Sequence, residues 1–202
     1  MAASVMFHDG NRQLQDQFDS RRIADRLEEK LTRLAFTDGD RAFIEGAMFF
    51  FLATSDDRGR PDCSFKGGTA GFVRIVGPDE LAFPDYDGNG MFKSLGNILV
   101  NPQVGLLFID MGEKPRRLRV NGTASVNRDD PLMQRFAGAQ LLVRVKARAI
   151  FPNCPRYIAT PGAAEPSKYT PRPGYTPPEP AWKGFDDFKD HVPPRHKTPD
   201  GN

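Results

Sequence analysis

The chain has 202 residues, of which 39% are hydrophobic, and its acidic and basic side chains nearly balance at a formal net charge of +2. This length suits one domain with a core of its own. Acidic and basic residues are interspersed, so the chain as a whole lacks the basic character that is typical of nucleic-acid-binding proteins. Because no apolar run approaches the roughly 18 residues of a membrane span and the N-terminus lacks the order of a signal peptide, we expect a cytoplasmic protein with no membrane partner.

The N-terminal part predicts an arm followed by helices. Residues 1–17 are polar and irregular, which is typical of a mobile arm. A helical pattern begins near Asp19, with an apolar face that recurs from Ile23 to Leu34. This face suits packing either on a partner subunit or on the end of the same domain. Residues 41–47 predict a further short helix.

The middle of the chain predicts a mainly β structure. Strands are indicated by continuous apolar runs or by alternation of apolar and polar residues, with Gly, Pro and Asp between them. Six strands are expected at residues 49–54, 62–66, 71–76, 104–109, 118–126 and 141–151. The run 80–83 leads into a turn, and Pro131 opens a short helix that ends near Phe136.

The stretch from Asp87 to Ile98 predicts an anion site. It consists of a glycine-containing turn and the start of a helix. The first N–H groups of a helix are unpaired and its dipole is positive there, so anions bind at such a position. Asn89, Lys93 and Ser94 add further donors, and we interpret the stretch as a phosphate site.

Histidine and cysteine, the usual catalytic and metal-binding residues, are scarce. The three histidines, His8, His191 and His196, all lie near the termini, so a histidine-based nucleophile or metal site inside the domain is not expected. Cys63 and Cys154 are too few for a disulfide framework or a cysteine-based zinc site, and we expect reduced thiols. No metal ligand is predicted, and a cofactor would have to carry any chemistry.

Several ordered blocks resemble the pyridoxamine 5′-phosphate oxidase-like family. They are GRPD at 59–62, FKGG at 65–68, PDYDGN at 84–89, SLGNI at 94–98, NPQVGLLF at 101–108 and LRVNG at 118–122. The resemblance covers roughly residues 40–155 and implies an α+β fold that is mainly β, a six-stranded antiparallel Greek-key split barrel with flanking helices. It also implies a homodimer that binds FMN in the cleft between its subunits.

The resemblance, together with the donors at the helix start, indicates a set of cofactor-binding residues. They are Ser64, Lys66, Asn89, Lys93, Ser94, Asn97, Arg117 and Arg119. In the family, the lysine that ends the second strand lines the flavin, the basic and polar pair at the helix start holds the phosphate, and the later strand offers a polar side chain to the cofactor. No catalytic side chain is identified.

The resemblance implies an FMN-binding oxidoreductase that transfers hydride or electrons to or from a small-molecule substrate of unidentified structure. Oxidases of vitamin B6 carry a C-terminal block with arginine, histidine and an Arg-Leu-x-Pro sequence, and its absence in order here argues against that substrate. The alternatives are a deazaflavin-dependent reductase, a non-catalytic protein that binds flavin, haem or another planar ligand, and a structural domain with an empty cleft.

The chain divides into the arm 1–17, the split-barrel domain with its N-terminal helices at 18–158, and a tail at 159–202. The tail holds 10 of the 18 prolines and few aliphatic residues, so it cannot form a core of its own. Only Trp182, Phe185 and Phe188 could anchor it. We predict that the tail wraps the dimer and partly covers the cleft, with a disordered linker as the alternative.

Overall fold

The computed structural model describes residues 4–158, 168, 175 and 177–193. Its helices are α1 (Asp9–Gln17), α2 (Arg21–Leu31), α3 (Asp38–Gly46) and α4 (Lys93–Val100). Its strands are β1 (Phe49–Ser55), β2 (Pro61–Gly67), β3 (Arg74–Ile75), β4 (Glu80–Tyr86), β5 (Gln103–Asp110), β6 (Arg116–Asn127) and β7 (Ala139–Asn153). Short 3₁₀ helices lie at Pro131–Arg135 and Ala181–Gly184. No helix among these residues is both long enough and apolar enough to cross a membrane.

The strands form one antiparallel sheet in the order β2-β1-β5-β6-β7-β4-β3. The sheet is not closed, but it curls until β1 faces β4, where the rings of Phe50 and Phe83 lie 4.9 Å apart. The predicted fold, a mainly β split barrel with flanking helices, is confirmed. The predicted number of six strands is wrong, because the run expected only to lead into a turn forms β4 and brings the number to seven.

The expected strand 71–76 shrinks to two residues. A turn occupies its first half, because the Phe72 N–H donates to the Thr69 carbonyl at 2.9 Å and Gly71 has a φ of 86°. Only Arg74 and Ile75 are left to pair with β4. Alternation of residue types therefore indicated a strand where the backbone turns instead.

The core lies inside the curled sheet and is closed at one end by α4. Its centre is aromatic, since the Phe50 ring also lies 5.1 Å from Phe108. Leu95 and Ile98 of α4 are 3% exposed and belong to the same cluster. At a register shift in β6, a Cβ on Gly122 would come within 2.1 Å of the Lys146 carbonyl oxygen, so only glycine fits there.

The N-terminal segment differs from the irregular arm that its polarity predicted. Residues Asp9–Gln17 form α1, whose first turn is closed by a reciprocal capping box between His8 and Asn11. The helix predicted from near Asp19 is confirmed as α2. The segment after it joins the chain's own sheet, because Arg33 and Ile150 exchange two backbone hydrogen bonds of 2.9 Å. The short helix predicted at residues 41–47 is confirmed as α3, which begins earlier, at Asp38.

Part of the proline-rich tail contacts α2. The carboxylate of Asp187 lies 3.1 Å from both Arg26 and Lys30, and these two cations, Lys30 foremost, lower the pKa of Asp187. Phe188 is 9% exposed and meets the Trp182 ring edge to face at 5.8 Å, whereas Phe185 is 57% exposed. The predicted course of the tail over a cleft falls mostly on residues 159–167, 169–174, 176 and 194–202, which lie outside the described part of the chain.

Candidate functional site

The edge strand β2 presents a polar stripe on one of its faces. Asp62, Ser64 and Lys66 are half-buried, whereas Cys63 and Phe65 between them are exposed. Because side chains alternate along a strand, the three polar residues share the inward face. The sheet order leaves β2 with a neighbour on one side only, so this face is open to whatever lies across from it.

The loop between β4 and α4 lies across from this stripe. Asn89 shapes the loop by accepting a hydrogen bond from the Met91 N–H at 3.0 Å. Gly90 and Phe92 have φ angles of 71° and 45°, and a left-handed conformation costs a bulky residue such as Phe92 about 1–2 kcal/mol. Backbone strain of this kind clusters at binding sites. It directs the chain abruptly into α4, whose first residue is Lys93.

A cavity of about 410 Å³ lies between the stripe and the loop. Five of the eight predicted cofactor-binding residues line it: Ser64, Lys66, Asn89, Lys93 and Ser94. The hydroxyl of Ser94 is 4% exposed and donates to Ser64 Oγ at 2.9 Å, with Asp62 Oδ2 at 3.4 Å. The first turn of α4 and the start of β2 therefore meet at one corner of the cavity.

Two lysines and three aspartates line this cavity, and they are not equivalent. Lys66 Nζ lies 3.4 Å from Asp85 Oδ1, which joins β2 to β4 across the cavity. Lys93 is exposed and forms no ion pair within the described chain. The remaining carboxylates belong to Asp62, beside the Ser94 hydroxyl, and Asp87, in the loop.

Gln140 is a lining residue that the sequence did not suggest. In the pairing of β4 with β7, Asp85 lies opposite Leu141 and Tyr86 opposite Ala139, so Gln140 is the extra residue of a bulge. Bulges turn side chains towards sites in this way. The Gln140 amide donates to Asp87 Oδ1 at 3.1 Å and so attaches the loop to the sheet. No pattern of residue types signals a bulge of this kind.

Asn97 lies on α4 but does not line the cavity. Its side chain is 5% exposed and donates to Thr54 Oγ1 at 3.0 Å. The bond joins α4 to β1 and satisfies two buried polar groups. The contribution of Asn97 is to position the helix whose first turn faces the cavity.

The two predicted arginines lie away from this cavity in the same chain. Arg117 lines a second cavity of about 320 Å³ and donates to the Cys154 carbonyl. Its Nε and the Asn153 Oδ1 opposite are buried without a hydrogen-bond partner among the described residues. Arg119 is exposed, with its guanidinium 6.0 Å above the Phe151 ring. A single chain thus brings together five predicted residues and separates these two.

Comparison with known proteins identifies a family. The family model described as pyridoxamine 5′-phosphate oxidase matches residues 36–164, which is more than half of the chain. No curated protein matches the sequence. Seventy-nine chains of solved structures match it.

Three of these structures illustrate the likeness. HupZ of Group A Streptococcus is 18% identical, covering 58% of this chain and 93% of its own, with a TM-score of 0.47. HutZ, the heme storage protein from Vibrio cholerae, is 20% identical over 59% of this chain and 95% of its own, with a TM-score of 0.43. An FMN-binding protein from Syntrophomonas wolfei is 13% identical over 72% and 96%, with a TM-score of 0.43.

Proposed function

The chain belongs to the pyridoxamine 5′-phosphate oxidase family, and we propose that it is a homodimeric, cytoplasmic FMN-binding oxidoreductase that acts on a small molecule. The observation that carries the proposal is the corner where Lys93, Ser94 and the start of α4 meet the polar stripe of β2 at a cavity of about 410 Å³. Vitamin B6 is not the proposed substrate, since the family's C-terminal substrate block is missing from the sequence.

The residues at this corner fit a phosphomonoester. The first three N–H groups of α4 have no partner within the helix, and the dipole favours an anion there. Lys93 adds a cation and Ser94 a buried hydroxyl, and charge-assisted hydrogen bonds from such groups hold phosphate well. The Ser94 hydroxyl can rotate from Ser64 to a ligand oxygen, which exchanges one hydrogen bond for another. FMN carries such a group and riboflavin does not.

The rest of the cavity suits the flavin ring. When bound, FMN supplies the hydride or electron transfer itself, and the protein supplies position and charge. Lys66 is the cation on the stripe, and positive charge near the ring stabilises its reduced, anionic form. Ser64 offers a hydroxyl on the same face, and the loop at Asn89 closes the opposite side of the cavity. These groups bind and orient the cofactor.

An exposed aromatic face on the other side of β1 and β2 supports a dimer. Phe65 is 62% exposed and stacks on Phe49 at 5.4 Å, with Phe51 at 6.1 Å. Contiguous apolar surface of this kind marks interaction sites. Across the neighbouring strands, Phe51 of β1 pairs with Leu107 of β5, and Leu107 pairs with Arg119 of β6, so Arg119 lies on the same face of the sheet. A second copy on this face would bring its own arginines close to the first subunit.

This arrangement accounts for the two arginines that a single chain separates from the cavity. Arg117 and Arg119 both lie on β6, two residues apart, and therefore share a face. We propose that they approach the cofactor held by the partner subunit. A monomer would accordingly bind FMN poorly.

Reconstitution tests the proposal. Ligand-free protein is titrated separately with FMN, riboflavin, a deazaflavin cofactor and haemin, and the visible spectrum is recorded after gel filtration. The expected result is stoichiometric retention of FMN, weaker retention of riboflavin, and bleaching of the bound flavin by a nicotinamide donor. A Soret band in the protein titrated with haemin, together with no retention of FMN or riboflavin, would contradict the proposal. Retention of the deazaflavin alone would also contradict it and would assign the cavity to that cofactor.

A further inference from the structure

Lys66 and Asp85 form an ion pair that spans the cavity. They come from β2 and β4, which are distant in the order of the sheet and meet only because the sheet curls. Their side chains are 20% and 13% exposed and their charged atoms lie 3.4 Å apart. Partial burial leaves the pair weakly screened by salt, so each charge offsets part of the field that the other produces inside the cavity.

The other charged groups of the cavity have different neighbours. Asp87 accepts a hydrogen bond from the neutral amide of Gln140, and Asp62 lies beside the hydroxyl of Ser94. Among the described residues, Lys93 has no carboxylate within ion-pair distance. Of the three lining carboxylates, Asp85 is therefore the one that pairs with a lysine of this cavity.

We propose that Asp85 sets the reduction potential of the bound flavin by offsetting the charge of Lys66. The inference rests on the proposed function, and it makes Asp85 a positioning residue that acts through the lysine. An unpaired ammonium beside the ring would stabilise the anionic reduced flavin and raise its potential. The carboxylate of Asp85 opposes this effect and also holds the ammonium towards β4. The flavin is thereby kept a good electron donor.

A flavin of low potential favours one direction of reaction. A bound flavin of low potential would donate hydride readily after reduction by a nicotinamide donor, whereas one of raised potential would more readily accept hydride from a substrate. With FMN bound, the chemistry that it would supply is the transfer of a hydride, two electrons and one proton, from a nicotinamide donor to the small-molecule acceptor, which would take its second proton from solvent. The pair thus assigns the chain to reductases of a small electron-accepting molecule.

The experiment compares Asp85→Asn with Asp87→Asn. Both variants remove a carboxylate from the lining of the same cavity, but only Asp85 pairs with Lys66. The FMN-loaded proteins are poised against reference dyes to obtain the reduction potential, and sulfite is titrated because its adduct with flavin reports positive charge near the ring. In Asp85→Asn we expect the preference for reduced over oxidised FMN to be about tenfold greater than in the parent protein. For a two-electron couple this corresponds to a rise of about 30 mV in the reduction potential of the bound flavin.

Sulfite affinity should rise in the same variant, and Asp87→Asn should change both quantities less. A structural effect is excluded by repeating Asp85→Asn in a Lys66→Met background, where the change should vanish if the two residues act together. If Asp85→Asn fails to fold, Lys66→Met alone carries the test and must lower the potential. An equal rise in Asp87→Asn, or a rise that persists without Lys66, would overturn the inference.

The outcome separates this inference from the proposed function. A parent protein that retains no FMN defeats the proposed function. A parent that retains FMN, with an unchanged potential in Asp85→Asn, defeats only the role of Asp85.

Discussion

Lys93→Ala should weaken the binding of FMN and leave that of riboflavin unchanged. The reason is that Lys93 lies at the start of α4, lines the cavity and forms no ion pair within the described chain, so its charge is free for a ligand phosphate. A hydrogen bond to a charged group contributes about 1.5–3 kcal/mol. Because Lys93 is exposed to water, the lower value applies, and a loss of about 1.4 kcal/mol corresponds to a tenfold higher Kd.

The assay is a titration of ligand-free protein with FMN and, separately, with riboflavin. Binding is measured from the quenching of flavin fluorescence. Two matched variants complete the set. Lys93→Arg keeps the charge and should bind FMN nearly as the parent does, and Lys114→Ala removes an exposed lysine from a loop that does not line the cavity. The difference between FMN and riboflavin should shrink with added salt, since salt screens exposed charges. Equal losses for the two flavins, or no loss of FMN affinity, would refute the assignment of the phosphate to Lys93.

Three further predictions concern stability. The hydrogen bond from Arg144 lowers the pKa of Asp130, so Asp130→Asn should cost about 1.5–3 kcal/mol at neutral pH, and the difference in urea denaturation should fade as pH drops below about 3.9, the ordinary aspartate pKa. Gly122→Ala forces a Cβ to 2.1 Å from the Lys146 carbonyl oxygen, so it should lower the free energy of unfolding by about 1–3 kcal/mol. An unchanged melting temperature would contradict that geometry. Phe188→Ala should lower the free energy of unfolding by about 1.5–3 kcal/mol, because Phe188 is 9% exposed, and it should make the tail more sensitive to protease.

Much of the site follows from local pattern. The alternation around Ser64 and Lys66 predicts one face of a strand, and the glycines before Lys93 predict a turn into a helix. Each of these signals resides within a few residues, where backbone geometry decides which side chains lie together. The structure then needs only the curl of the sheet to bring the strand and the helix to one cavity.

The rest depends on contacts that are distant in sequence. Gln140 reaches the cavity through a bulge whose register is decided by the pairing of β4 with β7. The partner of Lys66 is Asp85, 19 residues later, and it becomes a neighbour only when the sheet curls. The polar segment Asp9–Gln17 forms a helix whose first turn is capped by His8, an unusual residue in that role. In the dimer that we propose, the position of Arg117 relative to FMN would depend on a second copy of the chain, and no local sequence pattern predicts that position.

The central claim is that FMN occupies this cavity in a two-subunit protein. Sedimentation equilibrium recorded in the visible absorption band of flavin tests both parts in one measurement, since only protein-bound flavin sediments with the mass of the protein. We predict one flavin-bearing species of twice the 22.5 kDa chain mass, with one flavin per chain. Flavin that stays with the solvent, or that sediments stoichiometrically with the mass of a single chain, would contradict the account.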